Sequence, residues 1–265
     1  MRSIESYDCL PGRIEPSTIL GVRVSAVSYA DTVAMILDWA QLRESRYVCL
    51  GTVNQVMESH DSAAFREVMN QADLVTPDGM PLVWGLRLLG ERSASRVYGP
   101  DLMPLVLERA EREGIPVGFY GASQQVLDQL TAIVRARYPK LRIAYAFSPP
   151  FRPLTLEEDM QVVGAINASE ARILFIGLGN PKQEKWMGAH RGQVQAVMVG
   201  VGAAFDFLAG SKKQAPRWMM PLGLEWLFRL CMEPRRLWRR YLRHNPRFLW
   251  LFGRQLLRAK WNNSV

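Results

Sequence analysis

Apolar positions along this 265-residue chain fall into short continuous runs, separated by longer stretches in which they recur every three or four residues. The runs predict strands over residues 19–27, 47–53, 74–76, 116–120, 141–146, 173–177 and 197–202. The periodic stretches predict helices over 31–42, 63–71, 100–113, 124–138 and 157–169. Strand and helix alternating in this order define an α/β fold with a mostly parallel sheet flanked by helices. Runs without polar alternation, such as Ile173-Leu174-Phe175-Ile176, suit strands covered on both faces. Ligands on such sheets sit beyond the carboxyl ends of strands, so the strand-to-helix junctions are where chemistry is expected.

The pattern changes near Lys212, beyond which it is helical only. A short helix is expected over 224–232 and a second from Pro234 to about His244. Asn245-Pro246 then reads as the cap and first-turn proline of a third. In the second helix, a step of ~100° per residue sets Arg236, Arg239, Arg240 and Arg243 in one arc. Leu237, Trp238, Tyr241 and Leu242 take the other side. The chain therefore divides into an irregular segment at 1–18, which carries Pro11, Gly12 and Pro16, an α/β body at 19–211 and a helical appendage at 212–265.

Charge sharpens this division. The whole chain carries +8, whereas residues 217–260 hold ten Arg and one Lys against Glu225 and Glu233, which leaves +9 in that stretch and about neutral charge in the rest of the chain. Five of the eight tryptophans (Trp218, Trp226, Trp238, Trp250 and Trp261) lie in the same region. A cationic, aromatic, helical segment reads as an anchor for an anionic membrane surface. Its phosphate-binding character also admits a nucleic acid. No apolar run reaches the ~18 residues of a membrane span, and the best, residues 196–210, is cut by Asp206. The opening Met1-Arg2-Ser3-Ile4-Glu5 lacks a secretory core, and the scattered Cys9, Cys49 and Cys231 fit reduced cytosolic thiols. His60, His190 and His244 have no ligand spacing, so no metal site is expected.

Several junctions carry polar groups suited to chemistry. Thr52 and Asn54 follow the strand at 47–53, placed either to hydrogen-bond a ligand or, for Asn54, to cap the next helix. Thr76-Pro77-Asp78-Gly79 presents a carboxylate on a stiffened turn, as a general base or as a turn residue satisfying its own backbone. Arg96, before the helix at 100–113, matches phosphate geometry. Gly177-Leu178-Gly179-Asn180-Pro181-Lys182-Gln183-Glu184 joins strand to helix and sets Lys182 and Gln183 toward a diphosphate or a sugar. It lacks the third glycine of a dinucleotide fingerprint, and the chain has no Walker-type Gly-Lys-Ser/Thr. It also has no Asp-x-Asp to hold a cation on a diphosphate, so Arg, Lys and helix N-termini would have to neutralise a leaving diphosphate.

Taken in order, Thr52-Val53-Asn54, Ala72-Asp73-Leu74 with Pro77-Asp78-Gly79, Arg96-Val97-Tyr98-Gly99 with Asp101, Gly177 to Glu184, Gly202-Ala203-Ala204-Phe205-Asp206 and Gly223-Leu224-Glu225-Trp226 resemble the WecG/TagA/CpsF glycosyltransferases over about residues 19–245. The resemblance implies a modified Rossmann-like body and a helical appendage that engages the membrane and closes over the active site. It implies an inverting enzyme without a metal or other cofactor. Such an enzyme moves a sugar from a UDP-sugar to a polyprenyl-diphosphate-linked acceptor at the cytoplasmic face of the inner membrane, in surface polysaccharide or teichoic acid biosynthesis. Asp78 then matches the base and Thr52 its polar neighbour. Asn54, Arg96, Gln183 and Asp206 match substrate-binding positions. Arg229, Arg236 and Arg239 match arginines that hold the acceptor diphosphate. A homo-oligomer is a partner the family's surfaces admit, and nucleic acid is not one. Two departures stand out: many members read Gly-Gly-Ala-Phe-Asp at 202–206 and Arg-Ala-Pro where this chain has Gln214-Ala215-Pro216. A non-catalytic scaffold for a polysaccharide-assembly complex is the rival reading, against which stand the intact Thr52, Asp78, Arg96 and Gln183.

Overall fold

The computed structural model describes residues 16–262, and side chains through residue 259. The irregular segment predicted for 1–18 lies outside the described residues up to residue 15, as do the side chains of Lys260 and Trp261. In place of one strand at 19–27 there is a hairpin, β1 (Ser17–Ile19) and β2 (Val22–Val24), paired antiparallel. Leu20 and Gly21, both at positive φ, turn the chain inside the apolar run. Helix α1 (Tyr29–Gln41) follows, opened by a capping box in which Ser28 and Asp31 exchange hydrogen bonds.

The body continues with β3 (Arg46–Gly51), α2 (Val53–Asp61), α3 (Ala63–Asn70), β4 (Leu74–Pro77), α4 (Met80–Leu88), α5 (Gly99–Glu113), β5 (Val117–Gly121) and α6 (Gln124–Arg137). Then come β6 (Ile143–Phe147), α7 (Leu156–Ala168), β7 (Ile173–Gly177), α8 (Lys182–His190), β8 (Val197–Gly200) and the short α9 (Ala204–Leu208). Six strands form one parallel sheet in the order β4-β3-β8-β7-β5-β6. Because every neighbour pair is parallel, all carboxyl ends emerge at one edge. The four adjacent strands β4, β3, β8 and β7 deliver Asp78, Thr52, Gly202 and the 178–183 loop to the same place.

Both faces of the sheet are covered, as the unbroken apolar strands require. Ile173 and Phe175 of β7 join one buried layer with Val48, Phe119, Val199 and residues of α1, α5 and α6. Leu174 and Ile176, one residue out of phase, join the opposite layer with Tyr47, Cys49, Tyr120, Met198 and residues of α2, α3, α4 and α7. The sheet is tightest between β5 and β7. Gly121 sits at φ +124°, and a Cβ there would lie 2.5 Å from the Gly177 carbonyl carbon. Backbone in mid-sheet has no room to retreat, so Gly121→Ala is expected to cost on the order of 4 kcal/mol or more. Chemical denaturation of the purified variant, or its loss from the soluble fraction, measures this.

The appendage contains a 3-10 turn (Arg217–Met219), α10 (Glu225–Met232) and α11 (Pro234–Asn262). The break predicted at Asn245-Pro246 is absent: α11 runs through Pro246. A mid-helix proline costs ~3 kcal/mol, and packing on both sides of it offsets that. Leu237, Phe248 and Phe252 are buried, His244 bonds Asn54 at 3.0 Å, and Arg247 forms two hydrogen bonds to Asp61. The inward face is thus Leu237, Tyr241, His244, Phe248 and Phe252. Trp238 and Leu242, which the spacing set on the same side as Leu237 and Tyr241, are exposed. Among the described residues, no helix is long and apolar enough to cross a membrane.

Candidate active site

A cavity of about 510 Å³ lies where the strand ends meet the appendage, lined by residues of the β3, β4, β7 and β8 junctions and of α10 and α11. Its floor is built by backbone. The N–H groups of Asp78 and Gly79 both donate to the Gly51 carbonyl, at 2.9 and 3.3 Å, which ties the β4 turn to the end of β3. Thr52 is the N-cap of α2, and its N–H and hydroxyl both donate to Gln55 Oε1 at 2.7 and 2.9 Å. The cap position that Asn54 was placed to fill belongs to Thr52.

Asp78 does not satisfy its own turn. Its main-chain carbonyl accepts a hydrogen bond from Arg96 Nε, and its carboxylate accepts one from Arg96 Nη2 at 3.3 Å. The side chain is 18% exposed. Burial pushes its carboxyl up to about 6, against the pull of Arg96 and with the push of the Glu225 carboxylate. A carboxylate held there takes up a proton far more readily than an ordinary aspartate while remaining ionised at neutral pH.

Arg96 is gripped on several sides. It donates to Glu225 Oε2 at 2.5 Å and lies over the Tyr98 ring at 4.1 Å. The Tyr98 hydroxyl is buried with no protein partner. Arg229 stands 3.9 Å from the other Glu225 oxygen. Arg236 and Arg240 also line the cavity, and the buried Arg240 Nε has no protein partner. Arg239 does not line it: its guanidinium lies over Trp238 on the exposed side. Asp206 also falls outside the lining, on α9, 3.6 Å from Lys212. Of the nine residues singled out in the sequence, the fold brings seven to one cavity: Thr52, Asn54, Asp78, Arg96, Gln183, Arg229 and Arg236.

Behind the cavity wall runs a buried polar network. Glu184, fully buried, accepts from Gln55 at 2.7 Å, Gln183 at 2.9 Å and Asn180 at 3.2 Å. Its carboxyl is raised by burial. Asn54 donates to Asn180 at 2.6 Å and to Glu58 at 2.9 Å, and its carbonyl oxygen meets His244 Nδ1. Burial lowers the His244 pKa, which keeps the ring neutral near pH 7. The network therefore links the ends of β3 and β7 to α11. Gln183 Oε1 is left buried without a protein partner beside Gly202 and is free to accept from a ligand.

The two sequence departures prove undemanding. Gly202, kept in this chain, needs its positive φ of +52°, whereas Ala203 has ordinary right-handed helical angles. Alanine at 203 is accommodated without strain. Gln214 is exposed and away from the cavity lining. Glu225, Tyr98, Arg240 and the Asn180–Glu184 pair were not given roles from sequence. All but Arg240 lie within the motifs that carry the resemblance, which was their one signal in the sequence.

A parallel-sheet body, a carboxylate beside a largely buried guanidinium and a second set of arginines from a helical appendage make a cavity suited to a phosphate-bearing substrate. The chain matches the "Glycosyl transferase WecG/TagA/CpsF family" over residues 17–262, and it belongs to that family. It is 33% identical over 186 residues to the N-acetylglucosaminyldiphosphoundecaprenol N-acetyl-beta-D-mannosaminyltransferase of Bacillus spizizenii, covering 70% of each chain.

Proposed function

We propose that this enzyme transfers a sugar from a UDP-sugar to a saccharide carried on a polyprenyl diphosphate, with inversion and without a metal, at the cytoplasmic surface of the membrane. The product is a lipid-linked intermediate of a bacterial surface polysaccharide or teichoic acid. An undecaprenyl-diphosphate-linked N-acetylglucosamine is the acceptor that the Bacillus relative's name supports.

The observation that carries this reading is the mouth of the cavity. Trp84, Leu222, Trp226 and Leu249 line the cavity and are also among the exposed large apolar side chains. On α11, Trp238, Leu242 and Leu249 share one face at ~100° per residue, and Trp218 and Trp250 are exposed nearby in sequence. Arg239 and Arg254 stack on Trp238 and Trp250. An apolar and aromatic surface studded with cations suits the headgroup boundary of an anionic bilayer. A cavity that opens through such a surface receives a substrate whose reactive end is polar and whose tail stays in lipid.

In the reaction, the acceptor hydroxyl attacks the anomeric carbon from the face opposite UDP. The new carbon–oxygen bond forms as the bond to the UDP β-phosphate oxygen breaks, and that oxygen keeps the electron pair. Asp78 takes the hydroxyl proton. Arg229, Arg236 and Arg240 supply positive charge to the diphosphates. Thr52, which follows β3, and Gln183, whose Oε1 has no protein partner, orient the sugars.

The test is a panel of UDP-sugars assayed by UDP release, with a short-chain polyprenyl-diphosphate-linked N-acetylglucosamine as acceptor, with and without a chelator. Acceptor-dependent release with at least one donor, undiminished by the chelator, is expected. Release from none would favour a scaffold. Tight, salt-sensitive binding to single-stranded or duplex DNA in place of anionic liposomes would favour a nucleic-acid binder.

A further inference from the structure

The cavity's two lining carboxylates, Asp78 and Glu225, come from different parts of the chain. Asp78 belongs to the β4 turn. Glu225 is the first residue of α10, with its side chain only 12% exposed. One atom connects them: Arg96 Nη2 lies 3.3 Å from Asp78 Oδ1 and 2.5 Å from Glu225 Oε2. Arg96 Nε is taken by the Asp78 carbonyl, and its flat face is covered by Tyr98. The second Glu225 oxygen faces Arg229. Arg96 Nε and Nη2 are thus engaged while α10 is seated, and Glu225 stands between Arg96 and Arg229.

We propose that Glu225 is a positioning residue for the transfer: seated by α10, it holds Arg96 and thereby sets the Asp78 carboxylate, so that the base is aligned only when the appendage is docked. This rests on Asp78 being the base. Two physical effects follow. Arg96 pulls the Asp78 carboxyl down, and the negative charge of Glu225 offsets part of that pull; an Arg paired with one Asp alone depresses that Asp strongly. Docking of α10 also excludes water from the Asp78 side chain, which acts in the same direction. The charged and titratable groups that face Asp78 are Arg96, Glu225, Arg229 and the phenols of Tyr29 and Tyr98. Of these, Glu225 and Arg229 arrive with the appendage. Enzyme with its appendage undocked would thus carry a base both misplaced and too weak, and donor hydrolysis away from the membrane would be suppressed.

The decisive experiment follows the Asp78 side-chain carboxyl by carbon-13 NMR in the full chain as pH is varied, with Asp78→Asn identifying the signal. Glu225→Gln is expected to lower the titration midpoint by about one pH unit or more. Glu225→Asp, which keeps the charge on a shorter arm, is expected to lower it less. In acceptor-dependent UDP release, the acid limb of kcat/KM should move the same way, with plateau kcat down about tenfold or more and donor KM nearly unchanged. An unmoved or raised midpoint in folded Glu225→Gln overturns the proposal; should that variant not fold, an unmoved midpoint in Glu225→Asp does so. If the midpoint shifts but no UDP-sugar is turned over, the coupling of Glu225 to Asp78 stands and the proposed reaction fails. If transfer occurs and the midpoint stays, the reaction stands and Glu225 has no positioning role.

Discussion

Asp78→Asn is expected to lower acceptor-dependent UDP release by ~10²–10⁴-fold, the usual contribution of a general base, and to leave UDP affinity within a few-fold of wild type. Asparagine keeps the shape of the side chain and its contact with Arg96 but cannot accept a proton. The same substitution is expected to stabilise the fold. The carboxyl sits at about 6, against an ordinary value of 3.8, because burial disfavours its charged form. The native state therefore holds this proton more tightly than the unfolded chain. Stability from this group is fully present below about pH 4 and is lost as pH rises through 6, so at neutral pH the ionised side chain costs on the order of 2–3 kcal/mol. Thermal unfolding at pH 7.5 should show Asp78→Asn melting several degrees above wild type, while at pH 4 the difference shrinks. A catalyst that becomes more stable when its reactive group is removed is the expected trade at an active site.

The second large effect is expected from the appendage. Replacing Arg236 and Arg240 together by alanine should lower kcat/KM for the lipid-linked acceptor by ~10²–10⁴-fold, since each charge-assisted hydrogen bond contributes ~1.5–3 kcal/mol. The affinity for UDP alone should change far less. Arg240 is the more telling member, because its buried Nε has no protein partner and a phosphate oxygen would supply one. Arg236 is paired with Glu233 at the surface and can exchange that partner for a ligand. Arg239→Ala is the internal control. Its guanidinium lies over Trp238 outside the cavity, so it should retain turnover on a soluble short-chain acceptor and lose only part of its salt-sensitive binding to anionic liposomes. Kinetics on the soluble acceptor and liposome flotation separate the two roles. Arg239→Ala falling as far as the double variant would return Arg239 to the diphosphate site.

The contrast between Arg239 and Arg240 shows where sequence reasoning was sufficient and where it stopped. Strand-end residues were legible because β3, β4, β7 and β8 are apolar runs whose polar successors must emerge at one edge of a parallel sheet. Thr52, Asp78 and Gln183 were found in that way. Helical spacing placed Arg236, Arg239 and Arg240 on one arc, but spacing does not say which side of the arc faces the body. That is decided by Leu237, His244 and Phe248, whose burial turns Arg240 inward and Trp238 outward. The continuous α11 was illegible for a related reason. Asn245-Pro246 is a local stop signal, and contacts to Asn54 and Asp61, far away in sequence, override it. The β1–β2 hairpin was missed because Leu20-Gly21 is too short an interruption to register in an apolar run. Glu225 could not be assigned from sequence, since its role depends on Arg96, which precedes it by 129 residues.

In the proposed reaction a buried Asp78, seated under the appendage, takes the acceptor's proton. This step is tested most directly by the pH dependence of kcat/KM for acceptor-dependent UDP release, which reports the free enzyme's essential base. For wild type, kcat/KM is predicted to be level above about pH 7 and to fall tenfold per pH unit below an inflection near 6, the value set by Asp78 burial. The residual activity of Asp78→Asn is predicted to show no such limb. A wild-type profile flat from pH 5 to 8, or the same acid limb persisting in Asp78→Asn, would contradict it.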